Sequence, residues 1–263
     1  MKIATSLGYS IERNTKQMSN FDEEISLRVA SFKDQPKLLK AASDFLEESA
    51  RAKYSYNFRW LGRPIIQYPQ DIIAMQELIW NVKPSIIIET GIAHGGSLIL
   101  YSSLLELNAL AGGPIDACVI GVDIDIRLHN REAIMKHPMA KRIHMIEGSS
   151  TDKSIIDKIR EQISQNDVVL VCLDSNHTHE HVLAELEFYA DLVSVGSYLV
   201  VFDTLIESMP ASLYADRPWG PGNNPQTAVK SFLNSRHDFV VDKLIDNRLL
   251  VTVSEGGFLK RIN

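Results

Sequence analysis

Two aspartates that end apolar runs are the clearest candidates for chemistry in this sequence. Asp174 and Asp203 each follow a run of apolar residues typical of a buried strand. In an open parallel sheet the carboxyl ends of the strands meet at one edge, so we expect the two carboxylates to lie close together. A hard divalent cation relieves the repulsion between them and still leaves positions for substrate oxygens. The sequence therefore predicts a metal site with Thr204 or Asn176 as a neutral third ligand.

Three histidines follow Asp174 at positions 177, 179 and 181. An imidazole with an ordinary pKa of about 6.5 suits removal of a proton from a metal-polarised hydroxyl, so His177 is predicted to be a general base beside Asp174. His179 and His181 are expected at the surface. A softer metal held by Asp174, His177 and His181 stays open, because residues four apart share a helix face. The plainer interpretation is that Asp174 caps a helix and Asp203 begins a turn.

A loop of small residues at 89–97 joins another apolar run to a predicted helix. Gly91 lets the backbone turn and approach a ligand closely, and the helix N-terminus offers free N–H groups, so a nucleotide-like cofactor is expected. Asp123, at the end of the next run, can accept hydrogen bonds from both ribose hydroxyls, with Asp125 as the alternative. The residues predicted to bind the cofactor are Glu89, Thr90, Gly91, His94, Gly95, Ser97, Asp123, Ser150, Thr151 and Asp174.

The charge at the tip of the first strand separates two classes of cofactor. The loop lacks the G-x-G-x-x-G pattern of NAD sites, and Glu89 would repel a pyrophosphate but attract a cationic sulfonium or amino group. S-adenosylmethionine therefore fits better than NAD. Ser150 and Thr151 are expected to border the adenine, unless Thr151 and Asp152 only cap a helix.

A long irregular segment at 208–225 is expected to contribute to substrate binding. Trp219 and Tyr214 can stack on a sugar face, while Asp216, Arg217 and Asn223 meet hydroxyl groups. The alternative is a proline-stiffened connector that packs Trp219 into the core. The residues predicted to bind substrate are Tyr214, Arg217, Trp219 and Asn223. The aromatic stretch at 54–60 is either a substrate wall or a subunit contact.

Around these motifs, short apolar runs alternate with helix-like segments, which predicts an α/β fold with a mostly parallel sheet and helices on both faces. Strands are predicted at 85–89, 117–123, 142–147, 168–174 and 197–203. Helices are predicted within 21–50 as an N-terminal extension, and at 70–81, 95–108, 129–136, 152–165 and 179–195. Residues 239–241 and 249–253, flanking 245–248, predict a C-terminal antiparallel hairpin.

Composition excludes several classes of protein. The net charge of −6 gives no basic field for a nucleic-acid backbone, and no uninterrupted apolar stretch approaches the roughly 18 residues of a membrane span. The first thirty residues carry acidic pairs and no apolar core of an export signal. Cys118 and Cys172 both lie in apolar runs, as reduced thiols do, so a cytoplasmic location is expected.

With these residues placed, the chain resembles the cephalosporin hydroxylase/rhamnosyl O-methyltransferase family, whose members are class I methyltransferases that use S-adenosylmethionine and magnesium. The matching segments are 60–65 (WLGRPI), 67–71 (QYPQD), 76–79 (QELI), 89–91 (ETG), 95–97 (GGS), 121–123 (GVD), 174–177 (DSNH) and 257–261 (GFLKR). By this resemblance, Asp174 and Asp203 match metal ligands and His177 matches a base-like histidine. Phe202 departs from the pattern, because relatives often carry an acidic residue there.

The resemblance implies a Rossmann-like class I methyltransferase domain at 65–263, preceded by a helical extension and aromatic loop at 1–64. It implies an O-methyltransferase that acts on a hydroxyl of a glycan or small natural product, with S-adenosylmethionine and Mg²⁺ or a similar hard cation. The alternatives are a nicotinamide-dependent oxidoreductase or a metal-dependent hydroxylase on the same scaffold, or a non-catalytic binding domain. A homo-oligomer is expected, because the N-terminal helices look too apolar to stand free. The alternative is that these helices cover the chain's own active site.

Overall fold

The structure is a computed structural model and describes residues 20–263. It begins with helix α1 at 20–31 and helix α2 at Pro36–Arg51, as the apolar periodicity predicted. Pro36 separates the two helices because proline cannot continue a helix but fits its first turn. A short antiparallel hairpin of β1 (Phe58–Trp60) and β2 (Arg63–Ile65) follows.

The main sheet has seven strands in the order β5-β4-β3-β6-β7-β9-β8. The first five strands of that order are parallel, and β9 and β8 are antiparallel. The strands are β3 (Ile86–Thr90), β4 (Cys118–Asp123), β5 (Ile143–Glu147), β6 (Val169–Leu173), β7 (Tyr198–Val201), β8 (Phe239–Val241) and β9 (Phe258–Arg261). The five predicted parallel strands are therefore confirmed.

Helices cover both faces of this sheet, because alternate residues of each buried strand point to opposite sides. Ile87 packs with α3 and α4 on one face, and Ile88 packs with α6, α7 and α8 on the other. The helices are α3 (Pro69–Val82), α4 (Gly96–Leu110), α5 (Leu128–Met135), α6 (Lys153–Arg160), α7 (His179–Tyr189), α8 (Pro225–Ser235) and α9 (Lys243–Leu249). This layered arrangement confirms the predicted α/β class.

The predicted C-terminal hairpin is wrong in its second strand. Residues 245–248 lie within α9 rather than in a turn, and β8 pairs with β9 instead of with 249–253. Asp242 caps α9 by accepting hydrogen bonds from the N–H groups of Leu244 and Ile245, and Ile245 is buried. The physical reason is that an N-cap aspartate followed by a buried isoleucine begins a helix.

The hairpin of β1 and β2 packs against α4, and Leu46 of α2 belongs to the same buried cluster as α3 and α4. Tyr54 and Phe58 lie beside this cluster with their rings 5.0 Å apart, edge to face. The boundary expected between residues 64 and 65 therefore falls inside β2. Among residues 20–263, no helix combines the length and the apolar character needed to cross a bilayer.

Candidate active site

A cleft of about 280 Å³ lies at the carboxyl ends of the parallel strands. The loop after β3 lines it on one side, and the residues after β6 and β7 line it on another. The N-terminal segment closes it through Ser55, Tyr56 and residues 64–67. In an open α/β sheet, this edge is where ligands bind.

Strand register brings the two aspartates together. Leu173, the last residue of β6, pairs with Val201, the last residue of β7. Asp174 comes directly after β6, and Asp203 comes two residues after the end of β7. Ligand atoms of Asp174, His177 and Asp203 all lie within 4.8 Å of one another. Burial and the nearby carboxyl group of Asp203 hold the pKa of Asp174 well above its usual range. Without a cation Asp174 therefore favours its protonated form, and a bound cation would favour the ionised carboxylate.

His177 lies between this pair of carboxylates and the irregular segment at 208–225. Its Nε2 lies 3.2 Å from Oδ2 of Asp203, and its ring meets the ring of Trp219 edge to face at 4.8 Å between centroids. Thr204, the predicted third ligand, is 2% exposed and donates its hydroxyl hydrogen bond to the carbonyl of Val253. The predicted His181 alternative is not part of this cluster among the described residues.

Gly91 places the loop at 89–97, called the glycine loop below, directly against Asp174. It has φ +91°, and a Cβ atom there would lie 2.0 Å from the carbonyl oxygen of Asp174. The N–H of Asp174 donates to the carbonyl of Thr90 at 2.9 Å. His94 and Ser97 also line this part of the cleft, and Gly95 caps α4 with no side-chain partner for the first N–H groups. This backbone is suited to a close ligand.

Glu89 lies beneath the loop rather than in the wall of the cleft. Its side chain is 1% exposed and accepts a hydrogen bond from Ser97 Oγ at 2.8 Å. Burial raises the pKa of Glu89 to about 8, and hydrogen bonds from the hydroxyls of Ser97 and Tyr101 moderate that rise. A carboxyl group with this pKa is largely uncharged at neutral pH. The geometry therefore supports a role in holding the start of α4.

Asp123 organises the glycine loop. Its Oδ2 accepts hydrogen bonds from the N–H groups of Ile92 at 2.8 Å and Ala93 at 3.3 Å. Its Oδ1 accepts from the N–H of Asp125, whose own carboxylate is exposed and lies 4.0 Å from Arg127. Asp123, and not Asp125, therefore adjoins the loop that is predicted to bind the cofactor.

The residues after β5 combine a helix cap with a polar network. Asp152 caps α6 by accepting from the N–H of Ser154 at 2.8 Å, so the capping interpretation holds for this residue. Thr151 Oγ1 lies 3.0 Å from Ser149 Oγ. Ser150 contacts His181, which was expected at the surface but is three-quarters buried.

The irregular segment at 208–225 reaches the cluster of Asp174, His177 and Asp203 mainly through Trp219. The guanidinium of Arg217 lies 5.5 Å from the Trp219 ring. Tyr214 packs against the core, and burial with the nearby Asp203 raises its pKa to about 12. Asn223 accepts the N–H of His179 at 2.9 Å and so caps α7. Arg217 and Asn223 therefore hold the loop, and Trp219 faces the site.

Three site residues escaped the sequence interpretation. Arg63 Nε donates to the carbonyl of His94 at 3.0 Å, which fixes the far end of the glycine loop. Gln67 lines the cleft, and its Nε2 lies 3.4 Å from Oδ2 of Asp174. Asp71 is buried and accepts hydrogen bonds from Thr252 Oγ1 and the N–H of Val253. Sequence reasoning assigned these three residues no role, although all of them lie in the segments 60–65 and 67–71 that resemble the family.

Comparison with known proteins assigns the family. The family model described as Rhamnosyl O-methyltransferase/CmcI matches residues 52–262. A rhamnosyl O-methyltransferase of Mycobacterium tuberculosis is 30% identical over 243 residues, which cover 89% of this chain and 91% of that protein. The Mycobacterium leprae rhamnosyl O-methyltransferase is 26% identical over 226 residues, covering 83% of this chain and 92% of that protein.

Solved structures show the same fold. A Mg-SAM structure of CmcI aligns with a TM-score of 0.54 at 21% identity, covering 79% of this chain and 78% of that one. An apo structure of CmcI aligns with a TM-score of 0.55 at 22% identity, covering 79% of this chain and 77% of that one. The sheet order, the antiparallel C-terminal strands and the N-terminal helices are those of a class I methyltransferase. The chain therefore belongs to the rhamnosyl O-methyltransferase/CmcI family of S-adenosylmethionine-dependent O-methyltransferases.

Proposed function

We propose that this protein transfers the methyl group of S-adenosylmethionine to a hydroxyl of a deoxyhexose such as rhamnose, with a divalent cation beside the acceptor. The observation that carries the proposal is the convergence of Asp174, His177 and Asp203 next to the glycine loop. The curated relatives named rhamnosyl O-methyltransferases support the sugar acceptor. The CmcI structure with Mg and SAM supports both cofactors.

The donor set fits a divalent cation. Two carboxylates within 4.8 Å of each other lack a counter-charge from lysine or arginine among the described ion pairs. Phe202, at the position where relatives often carry an acidic residue, is buried in the core cluster and offers no ligand atom. Asp174 and Asp203 would therefore hold the ion, and His177 lies within reach of it. A bound cation would supply a lowered pKa for the acceptor hydroxyl.

His177 is proposed to accept the hydroxyl proton. Its Nε2 contact with Asp203 orients the ring, and Trp219 packs against the ring edge. The acceptor oxygen forms a bond to the methyl carbon as the sulfur–carbon bond breaks, and the sulfonium becomes a neutral thioether. The proton that leaves the hydroxyl passes to the imidazole, so atoms and charge balance.

The sugar is proposed to lie between Trp219 and the N-terminal wall of the cleft. Tyr56 and Trp219 offer aromatic faces, which suit the apolar face of a deoxy sugar. Gln67 offers a polar side chain within the same wall. Residues 54–67, around the expected domain boundary, would thus serve the catalytic domain.

A methyl-transfer assay tests this function. The protein is incubated with methyl-labelled S-adenosylmethionine and a rhamnose-terminated glycoside, with and without EDTA. We expect one labelled methyl ether per rhamnose, loss of transfer with EDTA and recovery with Mg²⁺. Transfer that is indifferent to EDTA would refute the metal, and transfer only to hydroxyls outside sugars would refute the acceptor class.

Asp174→Asn and His177→Asn separate the two proposed roles. Asp174→Asn should weaken metal binding, whereas His177→Asn should lower kcat and leave metal affinity within a few fold. Loss of metal affinity in His177→Asn would instead make this residue a ligand.

A further inference from the structure

We propose that Glu185 and His181 of α7 are positioning residues that fix the hydroxyl of Ser150 as a hydrogen-bond donor to a ring nitrogen of the cofactor's adenine. This inference rests on the proposed function. Neither Glu185 nor His181 belongs to the cluster that is proposed to hold the metal. Their role would be to determine that the hydroxyl of Ser150, just after β5, donates rather than accepts a hydrogen bond.

The pair joins the ends of two strands. Oε1 of Glu185 accepts the hydroxyl hydrogen bond of Ser175 at 2.7 Å, and Ser175 directly follows the proposed ligand Asp174. Nε2 of His181 lies 3.2 Å from Ser175 Oγ and 3.1 Å from Ser150 Oγ. The same imidazole nitrogen therefore contacts the hydroxyl of Ser175, after β6, and the hydroxyl of Ser150, after β5.

The carboxylate sets the direction of these hydrogen bonds. Ser175 has one hydroxyl proton, which it gives to Glu185, so its oxygen can only accept from His181. In the proposed arrangement Nε2 of His181 carries the proton and shares this single N–H between the oxygens of Ser175 and Ser150, and Oε1 of Glu185 lies 3.5 Å away. Ser150 consequently accepts from His181, and its own proton is free for an acceptor. Adenine offers such acceptors at its ring nitrogens.

Packing alone does not account for this arrangement. Glu185 is fully buried, and its Oε2 lacks a hydrogen-bond partner in the part of the chain that the structure describes. Burying a carboxyl group with an unpaired oxygen is unfavourable, and an apolar side chain at this position of α7 would be more stable. A function that needs an acceptor beneath Ser175 explains its presence.

The position of Ser150 agrees with a ligand contact. It is 6% exposed and follows β5, whose neighbour β4 ends in Asp123 beside the glycine loop. Both residues lie at the edge of the sheet where the cofactor is proposed to bind. A donor from Ser150 would favour adenine over a ring that presents an N–H or C–H at the same place.

The test is the calorimetric affinity for S-adenosylhomocysteine of wild type, Glu185→Gln and Ser150→Ala. Glu187→Gln is the matched control, because Glu187 lies on the same helix and is exposed. We expect Glu185→Gln and Ser150→Ala each to weaken binding about tenfold, and the double variant to be no weaker than Ser150→Ala alone. Glu187→Gln should leave the affinity for Mn²⁺ and kcat at saturating cofactor at their wild-type values.

Each outcome decides the inference. Additive losses in the double variant, or equal affinities in Glu185→Gln and Glu187→Gln, would overturn it. If Glu185→Gln does not fold, His181→Asn in the same cycle with Ser150→Ala gives the same decision, because that side chain is partly exposed. Failure of wild type to bind S-adenosylhomocysteine would instead overturn the proposed function.

Discussion

Replacing Gly91 with alanine would put a methyl group where the backbone of Asp174 lies. The new Cβ would be 2.0 Å from the carbonyl oxygen of Asp174 and 2.6 Å from its carbonyl carbon. Real Cβ atoms do not approach backbone atoms this closely, so the two segments must separate. The variant therefore tests whether the glycine loop and the proposed metal ligand are packed as one unit.

The expected loss has two parts. Alanine at φ +91° costs about 1–2 kcal/mol of backbone strain, and the overlap with Asp174 adds about 1–3 kcal/mol. Gly112 provides the matched control, because it has φ +80° and a Cβ atom added there would meet nothing within 4 Å. Gly112→Ala should therefore lose only the strain of about 1–2 kcal/mol.

The assay is urea denaturation of both variants, followed by S-adenosylhomocysteine titration of the folded proteins. Gly91→Ala should be less stable than Gly112→Ala by about 1–3 kcal/mol, which corresponds to roughly 2–12 °C in Tm for a chain of this length. Only Gly91→Ala should lose cofactor affinity. Equal stabilities of the two variants would refute the close approach of Gly91 to Asp174.

Three further changes test other parts of the structure. Burial raises the pKa of Asp71 to about 7 from an ordinary 3.8, so the native state holds a proton that the unfolded chain releases. The free energy of unfolding, measured by denaturation at each pH, should therefore fall as the pH rises from 4 to 7. The fall should be less steep in Asp71→Asn. Asn224→Ala removes the buried capping box of α8 and should cost about 1–2 kcal/mol by urea denaturation; a loss under about 0.5 kcal/mol would contradict this. Asp123→Ala frees two N–H groups of the glycine loop and should weaken S-adenosylhomocysteine binding about tenfold by calorimetry, whereas Asp125→Ala should not.

The sheet could be predicted because its signals are local. Buried parallel strands are continuous apolar runs, and each was separated by a helix with its own periodicity. The placement of Asp174 and Asp203 followed from one rule about strand ends. The hairpin failed because β9 pairs with β8 across α9, and that pairing depends on contacts distant in sequence.

Details of the site depend on contacts that the sequence does not show. Asp123 was predicted to bind ribose, and in the structure its carboxylate accepts hydrogen bonds from the N–H groups of Ile92 and Ala93 in the glycine loop. Glu89 is enclosed by α4, so its protonation is determined by burial. Its position at the tip of a strand, which the sequence does show, does not determine it. His181 was predicted at the surface, but it faces inward and contacts Ser150 and Ser175, which lie in two different loops. The residues of a helix alone do not show which side faces such distant partners.

Direct titration with Mn²⁺, followed by electron paramagnetic resonance in the presence of S-adenosylhomocysteine, tests the central claim. We predict one tightly bound Mn²⁺ per chain in wild type, at least about tenfold weaker binding in Asp203→Asn, and unchanged binding in Asp116→Asn, an exposed aspartate elsewhere on the surface. Equal binding in wild type and Asp203→Asn, or no binding to wild type, would contradict it.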